Sequence, residues 1–303
     1  MPEVVHPDGR AHIDAALVKR LITAQFPQWS GLSVVPVEVD GWDNRTYRLG
    51  TDMTVRLPTA DHYASAIDKE HRWLPVLAPH VPVEIPVCLA KGKPSDDFPY
   101  HWSVRHWITG DTADHARIPE EAEFAMQVGE FLRALQSVDP TGGPAAGVHS
   151  FYRGAPPAHY DGETRRALQL LAARIDTTSA ATVWTAALRA TWTGRPVWFH
   201  GDVATGNLLV RNGRLVAVID FGTCGVGDPA CDLVIAWTRF SGESREAFRR
   251  AVRADDGTWA RARGWALWKA LIGLAEDIDT DGQRAAINRR VIQNVLADHK
   301  RST

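Results

Sequence analysis

The stretch VWFHGDVATGNLLV (197–210) places three polar residues inside an apolar run that is otherwise suited to a buried strand. Burying a polar group costs about 1–3 kcal/mol unless hydrogen-bond partners satisfy it. His200, Asp202 and Asn207 therefore need a reason to be there. Two interpretations are open at this point: a polar cluster that supports a tight turn, or a site that carries chemistry.

The residues that follow this stretch predict a β-hairpin. The segment LLVRNGRLVAVIDFG (208–222) contains two apolar runs around the dipeptide Asn212-Gly213. Asn-Gly between such runs is a strong short-range signal for a two-residue hairpin turn. Pairing the two strands about that turn sets Asn207 opposite Val218.

Two oxygen-bearing side chains come together on one face of this predicted hairpin. Asp220 lies two residues beyond the partner of Asn207, so the two are diagonal neighbours, about 7–8 Å apart at the backbone. An amide oxygen and a carboxylate in that arrangement suit Mg²⁺, which takes few protein ligands and binds phosphate oxygens as well. Asp202 lies in the turn that leads into the hairpin, where it is left to face a third reactant.

The motif HGDVATGN (200–207), followed by IDFG, resembles the catalytic loop and metal-binding segment of protein-kinase-like enzymes. It is most similar to the aminoglycoside phosphotransferase family, whose loop reads His-Gly-Asp-x-x-x-x-Asn. The resemblance implies that Asp202 is the catalytic base for a substrate hydroxyl and that His200 braces the loop. It also implies that Asn207 and Asp220 hold Mg²⁺ on the phosphates of ATP or GTP, the phosphoryl donor.

The resemblance implies an α+β fold of the two-lobed protein-kinase-like type. Residues 1–108 would form an N-terminal nucleotide-binding lobe with an antiparallel sheet and a helix. Residues 109–303 would form a C-terminal catalytic and substrate-binding lobe, mainly helical, with the catalytic hairpin. The apolar pattern along the chain predicts elements in the same order: a helix over 13–24, an antiparallel meander over 32–59, a helix over 62–78, an irregular proline-rich segment over 80–99, a strand over 101–108, and mainly helical segments over 111–192 and 229–298.

The N-terminal half offers residues for a nucleotide, and each has a plainer alternative. Gly41 to Asn44 stand between two predicted strands, where backbone N–H groups would cover phosphates or form an ordinary hairpin turn. Arg56 stands where the family usually has a lysine, and it is expected to contact the phosphates. Glu70 falls on the apolar stripe of the predicted helix, so it needs a partner, and Arg56 is the predicted one. A salt bridge with a purely structural role is the alternative.

The segment SVRHWITG (103–110) resembles the hinge of the same family. The resemblance implies that backbone groups around Trp107 and Ile108 face the purine, while the Trp107 side chain fits a core position equally well. Because the choice of purine rests on backbone geometry at the hinge, the sequence leaves ATP and GTP open as donors.

Two aspartates follow the predicted metal-binding segment, in GVGDPACDLVIAW (225–237). Asp228 before Pro229 predicts a helix start, with an N-cap residue followed by proline at the first helical position. Asp232 falls in the first turns, where the helix dipole favours a negative charge. These local reasons account for both residues, and the resemblance implies that they also steady the catalytic loop.

Acidic residues near the end of the chain are candidate contacts for the acceptor. The segment 259–284 predicts an apolar helix that ends in four acids, Glu276, Asp277, Asp279 and Asp281. Acids at a helix C-terminus oppose the dipole by about 0.3–1 kcal/mol, so helix stability does not explain them. An acidic rim for a cationic acceptor is one interpretation and a solvated helix end is the other. Asp161 and Glu163 are further but weaker candidates, because Arg165 and Arg166 stand next to them and would neutralise them locally.

The composition favours a soluble globular protein. The chain has 303 residues, 45% of them hydrophobic and 23% charged, and its formal net charge of −2 gives no reason to expect nucleic acid or a membrane as partner. The N-terminus lacks the pattern of a signal peptide, and no stretch has the length of a transmembrane helix. Three cysteines without a CxxC pair fit a reducing compartment, so we expect the cytoplasm.

The expected reaction is transfer of the γ-phosphoryl group from ATP or GTP to a hydroxyl of a small molecule. An aminoglycoside-type or other antibiotic is the leading acceptor, and a choline-, homoserine- or sugar-like alcohol is the alternative. A nucleotide-binding pseudokinase is disfavoured because Asp202, Asn207 and Asp220 are all present. A metal-dependent phosphohydrolase would need several ligating histidines, which the C-terminal half lacks. The sequence leaves the oligomeric state open.

Overall fold

The computed structural model describes residues 12–38, 40–41, 43–278 and 282–302. The chain falls into two compact units. The first comprises the described residues up to Gly110 together with Ala217–Gly222, and the second comprises Asp111–Val216 and the chain from Thr223 onward. Within the described ranges, no helix combines the length and the apolar character needed to cross a bilayer.

The first unit is built on an antiparallel sheet. Among its described residues, five strands pair in the order β1-β2-β3-β5-β4. The elements of this unit are α1 (Ala15–Gln25), β1 (Val34–Pro36), β2 (Asn44–Leu49), β3 (Met53–Pro58), α2 (Asp61–Leu77), β4 (Cys88–Gly92) and β5 (Trp102–His106). The two helices, the meander over 32–59 and the strand within 101–108 therefore form as the sequence predicts.

Alternation along the strands gives this sheet one apolar face and one polar face. Tyr47, Val55 and Val104 lie opposite one another across β2, β3 and β5, and they belong to the buried core cluster that includes α1. The next row across the same strands is Thr46, Arg56 and Ser103, on the other face. The polar row is where α2 contributes its buried Glu70.

Strand β4 lies in the segment 80–99, which the sequence predicts to be irregular, so that prediction is wrong for five residues. The strand carries no β-branched residue and ends in glycine, so it lacks the usual strand signals. Its pairing depends on a residue distant in sequence: Gly92 lies opposite Trp102, and a Cβ on Gly92 would fall 1.9 Å from the Trp102 ring. The buried indole therefore occupies the space that any larger side chain would need.

The second unit is mainly helical, with short strands that carry the motif segment. Its elements are β6 (Asp111–Thr112), α3 (Glu121–Ser137), α4 (Asp161–Leu170), α5 (Thr177–Arg189), β7 (Val197–Phe199), β8 (Leu208–Arg211), β9 (Arg214–Val218), β10 (Gly225–Gly227), α6 (Ile235–Thr238), α7 (Gly242–Val252), α8 (Asp256–Glu276) and α9 (Gln283–Ser302). Helix α8 is buried on most sides because α4, α5 and α9 pack around it. An apolar sequence without a clear polar face is what such a central helix requires.

The predicted hairpin forms between β8 and β9, which are neighbours in a sheet with β6. Asn212 and Gly213 have φ angles of 54° and 76°, the positive values that a type I′ turn requires at both central residues. The last two residues of β9 belong to the segment Ala217–Gly222 of the first unit. In that segment the Val218 amide donates to the Glu84 carbonyl at 3.0 Å.

Replacing Gly92 by alanine tests the contact that fixes β4. We expect Gly92→Ala to lower the free energy of unfolding by about 1–3 kcal/mol, because the new methyl group must displace the buried Trp102 ring. Gly31→Ala is the matched control, since a Cβ on Gly31 would have nothing within 4 Å. Urea unfolding followed by tryptophan fluorescence measures both, and equal stabilities of the two variants would contradict the assignment.

Candidate active site

The turn that carries the motif is fixed through its backbone by a buried carboxylate. Asp232 accepts hydrogen bonds from the amides of His200, at 2.8 Å, and Gly201, at 2.7 Å. Thr223 adds a bond from its hydroxyl to the His200 carbonyl, at 3.1 Å. Gly201 has a φ of 88°, and a Cβ there would lie 2.7 Å from Thr223 Oγ1, so the turn accepts only glycine.

His200 is fully buried beneath this turn. Its Nδ1 accepts the amide hydrogen of Asp202 at 3.2 Å, so the imidazole fixes the backbone of the residue predicted to be the base. This bond within the loop satisfies one of the two ring nitrogens and so offsets part of the cost of burying the imidazole. The position of His200 fits the bracing role that the resemblance implies.

The Asp202 carboxylate lies among polar and cationic groups. Lys269 Nζ, from α8, is 3.2 Å from Asp202 Oδ1. Asn207 donates through Nδ2 to the Asp202 carbonyl at 2.9 Å and to Asp202 Oδ2 at 3.3 Å. Burial raises the pKa of Asp202, but the charges of Lys269 and Arg153 outweigh burial and hold the pKa below its ordinary value. The carboxylate is therefore ionised at neutral pH, as a group that accepts a proton must be.

Lys269 and Arg153 are site residues that the sequence analysis did not single out. Lys269 is a lone cation in the apolar run WALWKALIG (265–273), and such a residue on a buried helix is a usable signal for a charged partner. Arg153 stands in a loop whose conformation no local pattern predicts. Both residues reach Asp202 through tertiary packing only.

In the first unit, a buried glutamate lies between two arginines. Glu70 Oε2 is 2.6 Å from Arg105 Nη2, whereas Glu70 Oε1 is 3.6 Å from Arg56 Nη1. The predicted partner of Glu70 is thus present, but the close one is Arg105, which the sequence analysis missed. Arg105 takes this place because Thr54, opposite it on β3, lies on the same sheet face as Arg56. Burial raises the pKa of Glu70, and the two arginines together hold it below its ordinary value.

Because Arg105 binds Glu70, Arg56 reaches a second carboxylate. Arg56 Nη2 donates to Asp220 Oδ1 at 3.0 Å. Asp220 has a φ of 66°, an unusual value for a residue other than glycine and one found at functional turns. The Arg56 guanidinium thereby connects Glu70 on α2 to Asp220, in the segment that follows β9 within the first unit.

Asp43 lies beside Asp220 and was not singled out in the sequence. A Cβ on Gly222 would lie 3.6 Å from Asp220 Oδ1 and 3.6 Å from Asp43 Oδ2, so the two carboxylates converge on one place. Burial, and then the charge of Asp220, raises the pKa of Asp43. Two converging carboxylates are a donor set that suits a hard divalent cation.

This donor set fits Mg²⁺ as a nucleotide-borne ion. Within the described ranges, no group of three or more His, Cys, Asp and Glu side chains is arranged to hold a metal by itself. Magnesium in phosphoryl-transfer sites usually takes one or two carboxylates and completes its shell with phosphate oxygens and water. The Asp220 carboxylate and the Asn207 amide are therefore residues of the right kind, in their respective units.

The other residues predicted to contact the nucleotide, Asn44, Trp107 and Ile108, differ in burial and in hydrogen bonding. Asn44 is buried at the start of β2, and its Oδ1 has no hydrogen-bond partner among the described residues. The Trp107 amide donates to the Asp52 carbonyl at 2.8 Å, so one backbone group predicted to face a purine is already engaged. The Trp107 ring is partly exposed under the Arg48 guanidinium, 4.0 Å from its centroid, and Ile108 is half-buried. Trp107 is thus not a core residue.

The predicted acidic rim is largely paired with arginine. Glu276 and Asp277 both form ion pairs with Arg284, the latter at 2.7 Å. Asp161 accepts from Arg165 and from the Trp184 indole, each at 2.8 Å. Asp279 and Asp281 lie outside the described residues. The three described acids do not line the cavity that opens at Asp202.

Asp228 and Asp232 have structural partners that explain their burial. Asp228 caps a 3₁₀ turn through the Ala230 amide, at 3.1 Å, as its place before Pro229 predicts. Asp228 also accepts a hydrogen bond from Arg261 Nε at 2.6 Å, in an ion pair that is almost fully buried. Asp232 acts on the backbone of the motif turn, as described above.

Taken with the order of sheet and helices, the clamped His-Gly-Asp turn places the protein in the class of kinase-like phosphotransferases. A model of the phosphotransferase enzyme family matches residues 34–265, and the chain belongs to that family. The protein is therefore a small-molecule kinase. No curated protein matches the chain.

Solved structures of the same fold cover nearly the whole chain. The GDP complex of wild-type aminoglycoside 2'-phosphotransferase-IIIa aligns over 95% of this chain and 100% of its own, with 20% identity and a TM-score of 0.69. Macrolide 2'-phosphotransferase MphH from Brachybacterium faecium, as apoenzyme, aligns over 93% and 97%, with 22% identity and a TM-score of 0.60. ADP-bound aminoglycoside phosphotransferase APH(2'')-Ib aligns over 93% and 97%, with 17% identity and a TM-score of 0.60. These likenesses confirm the predicted α+β kinase-like fold.

Removing Arg105 tests the pairing of Glu70. We expect Arg105→Met to lower the free energy of unfolding by about 3–5 kcal/mol, because a buried carboxylate then loses its close partner. Arg72→Met, an exposed position on α2, is the control and should change stability by no more than about 0.5 kcal/mol. Chemical unfolding measures both variants. An Arg105→Met protein as stable as the control would show that Arg56 alone satisfies Glu70.

The lowered pKa of Glu70 makes its contribution to stability depend on pH. The pKa is lower in the folded than in the unfolded protein, so the contribution is complete above the unfolded value, about 4.3, and is lost as pH falls through the folded value. We expect wild type to exceed Glu70→Gln in stability at pH 7, by a margin that shrinks as pH falls below about 4. Urea unfolding at several pH values measures the margin, and a margin that is constant or grows toward acid would contradict the assignment.

Proposed function

We propose that the protein transfers the γ-phosphoryl group of ATP or GTP to a hydroxyl group of a small molecule. The observation that carries this proposal is the Asp202 carboxylate, kept ionised on a turn whose backbone Asp232 clamps. In the proposed step the acceptor oxygen attacks the γ-phosphorus and its proton passes to Asp202. The bond to the β-phosphate oxygen breaks, and the nucleoside diphosphate leaves.

The proposed role of Asp202 is mainly positioning. Phosphoryl transfer through a loose transition state needs an aligned hydroxyl more than a strong base, so a carboxylate with a lowered pKa is adequate. His200 and Asn207 both bond to Asp202 and fix its backbone and side chain. The pseudokinase alternative is disfavoured by this arrangement, because a binding-only protein has no need of it.

For the donor, we propose that Arg56 contacts the phosphates and that the backbone at 41–44, with Asn44, covers them. Glu70 and Arg105 orient Arg56 from behind through a buried ion pair. Asn207 and Asp220 are the proposed Mg²⁺ ligands, and the bound ion would neutralise charge on the phosphate oxygens. Backbone groups around Trp107 and Ile108 are proposed to face the base. A nucleotide as donor is supported by similar structures described with GDP or ADP bound.

For the acceptor, antibiotics are the leading proposal, because the similar structures are named as aminoglycoside and macrolide phosphotransferases. A metabolic alcohol is the alternative. Glu276, Asp277 and Asp161 remain proposed contacts for a cationic acceptor only if it displaces their arginine partners. We propose the cytoplasm as the compartment, since the three cysteines are free.

Replacing the base tests the proposal. Asp202→Asn keeps the shape of the side chain but cannot accept the proton, so we expect kcat to fall by about 10²–10⁴-fold while nucleotide affinity stays within a few-fold of wild type. Transfer is measured with Mg·ATP or Mg·GTP and a panel of aminoglycosides, macrolides and small alcohols, as a mass gain of one phosphoryl group. Asp96→Asn, at an exposed position to which no role is assigned, is the matched control.

Two outcomes would contradict the proposed function. Near-wild-type transfer by Asp202→Asn would remove its role as base. Absence of any phosphorylated product from wild type, with nucleotide bound, would favour the pseudokinase.

A further inference from the structure

A cavity of about 150 Å³ opens at Asp202 within the second unit. We infer that it takes a single-ring alcohol that bears an anionic group, such as a carboxylate, and that Arg153 and Lys269 select this acceptor by charge. The inference rests on the proposed function, because it treats Asp202 as the group that receives the hydroxyl. It favours the metabolic alcohol, the alternative acceptor given above, over a polyamine antibiotic.

The charges that line the cavity favour an anion. Arg153 and Lys269 line it together with Asp202, so two cations face one carboxylate. Lys269 pairs with Asp202 at 3.2 Å, whereas Arg153 makes no ion pair in the part of the chain that the structure describes. An ammonium group placed here would meet a net positive charge, and an anionic group would be attracted.

The loop that presents Arg153 adopts a costly conformation. Phe151 and Tyr152 have φ angles of 47° and 55°, in the left-handed region that is strained for a residue other than glycine. The Ser150 hydroxyl donates to the Arg153 carbonyl at 3.0 Å, and the Tyr160 hydroxyl donates to the Phe151 carbonyl at 2.6 Å. Strain sustained by specific bonds is typical of a segment that positions a functional side chain.

Two indole rings give the cavity a rigid apolar wall. Trp265 and Trp268 line it, and their ring centroids are 5.5 Å apart in an edge-to-face arrangement. Tyr160 stacks on Trp268 at 3.9 Å, and the Trp268 indole donates to Glu163 Oε2 at 3.2 Å, so the ring is fixed on both sides. Fixed aromatic rings suit a flat ring in the ligand. Glu163 keeps its charge in this bond, but it is not among the residues that line the cavity.

The size of the cavity favours a single ring. Pockets that bury a drug-sized ligand usually measure about 300–1,000 Å³, well above the 150 Å³ found here. An acceptor of several sugar rings would leave most of its body outside. The acids proposed to receive its amines are paired with Arg284 and Arg165. The size of the cavity and the charges that line it therefore both favour a small anionic acceptor over a polyamine.

A matched series tests the inference. The probes are 4-(hydroxymethyl)benzoate, 4-(hydroxymethyl)benzamide and 4-(hydroxymethyl)benzylamine, which share ring and hydroxyl and differ in charge. With wild-type enzyme and Mg·ATP or Mg·GTP, we expect kcat/KM to be highest for the benzoate and lowest for the benzylamine. Binding of each probe in the absence of nucleotide, measured by saturation-transfer NMR, should follow the same order.

Charge reversal at Arg153 makes the test specific. Arg153→Glu should invert the order of the benzoate and the benzylamine in both binding and kcat/KM, and Arg153→Met should abolish the preference. Arg166→Met, an exposed arginine on α4 that does not line the cavity, should keep the wild-type order. Thermal melting confirms that each variant is folded, and the Arg153 variants leave the Lys269–Asp202 pair in place.

Failure of this inference is distinguishable from failure of the proposed function. Preferred binding of the benzylamine by wild type, equal binding of all three probes, or an unchanged order in Arg153→Glu would overturn the inference. Transfer to an aminoglycoside without binding of the benzoate would also overturn it, while leaving the proposed function intact. Binding of the benzoate with no phosphorylated product from the series or the antibiotic panel would instead overturn the proposed function.

Discussion

The hydrogen bonds from two backbone amides to the buried Asp232 carboxylate are the interaction on which the site depends. They fix His200 and Gly201 in a turn that a larger residue than glycine cannot adopt. Burial raises the pKa of Asp232, so the two N–H donors are what make an acidic group tolerable at this depth. The position of Asp202 depends on the geometry of this turn, because the Asp202 amide donates to the ring of His200.

The two units use the same physical device in different places. In each, a fully or mostly buried carboxylate is satisfied by groups that also orient a functional residue: Glu70 binds Arg105 and thereby lets Arg56 reach Asp220, and Asp232 binds the turn that carries Asp202. A buried charge that loses its partner is costly, so these arrangements resist change. Stability and positioning consequently depend on the same contacts.

Local patterns predict the parts of this protein that local chemistry dictates. The Asn212-Gly213 turn, the cap at Asp228 and the antiparallel pairing of β2 with β3 follow from residue type and spacing. The sequence could not give Arg105 as the partner of Glu70, or Lys269 and Arg153 as neighbours of Asp202, because long-range packing brings them together. Strand β4 was missed for the same reason, since its glycine is explained only by the ring of Trp102. The metal ligands and the nucleotide contacts stay predictions.

If Asp232 acts on catalysis through the position of Asp202, the two residues must be coupled in a double-mutant cycle in kcat. The measurement compares wild type, Asp202→Asn, Asp232→Asn and the double variant, each verified as folded, with the best acceptor found for the enzyme. We expect Asp232→Asn to lower kcat when Asp202 is present and to have no further effect on kcat once Asp202 is replaced. If the losses in kcat of the two single variants multiply in the double variant, the two residues act independently and this coupling is wrong.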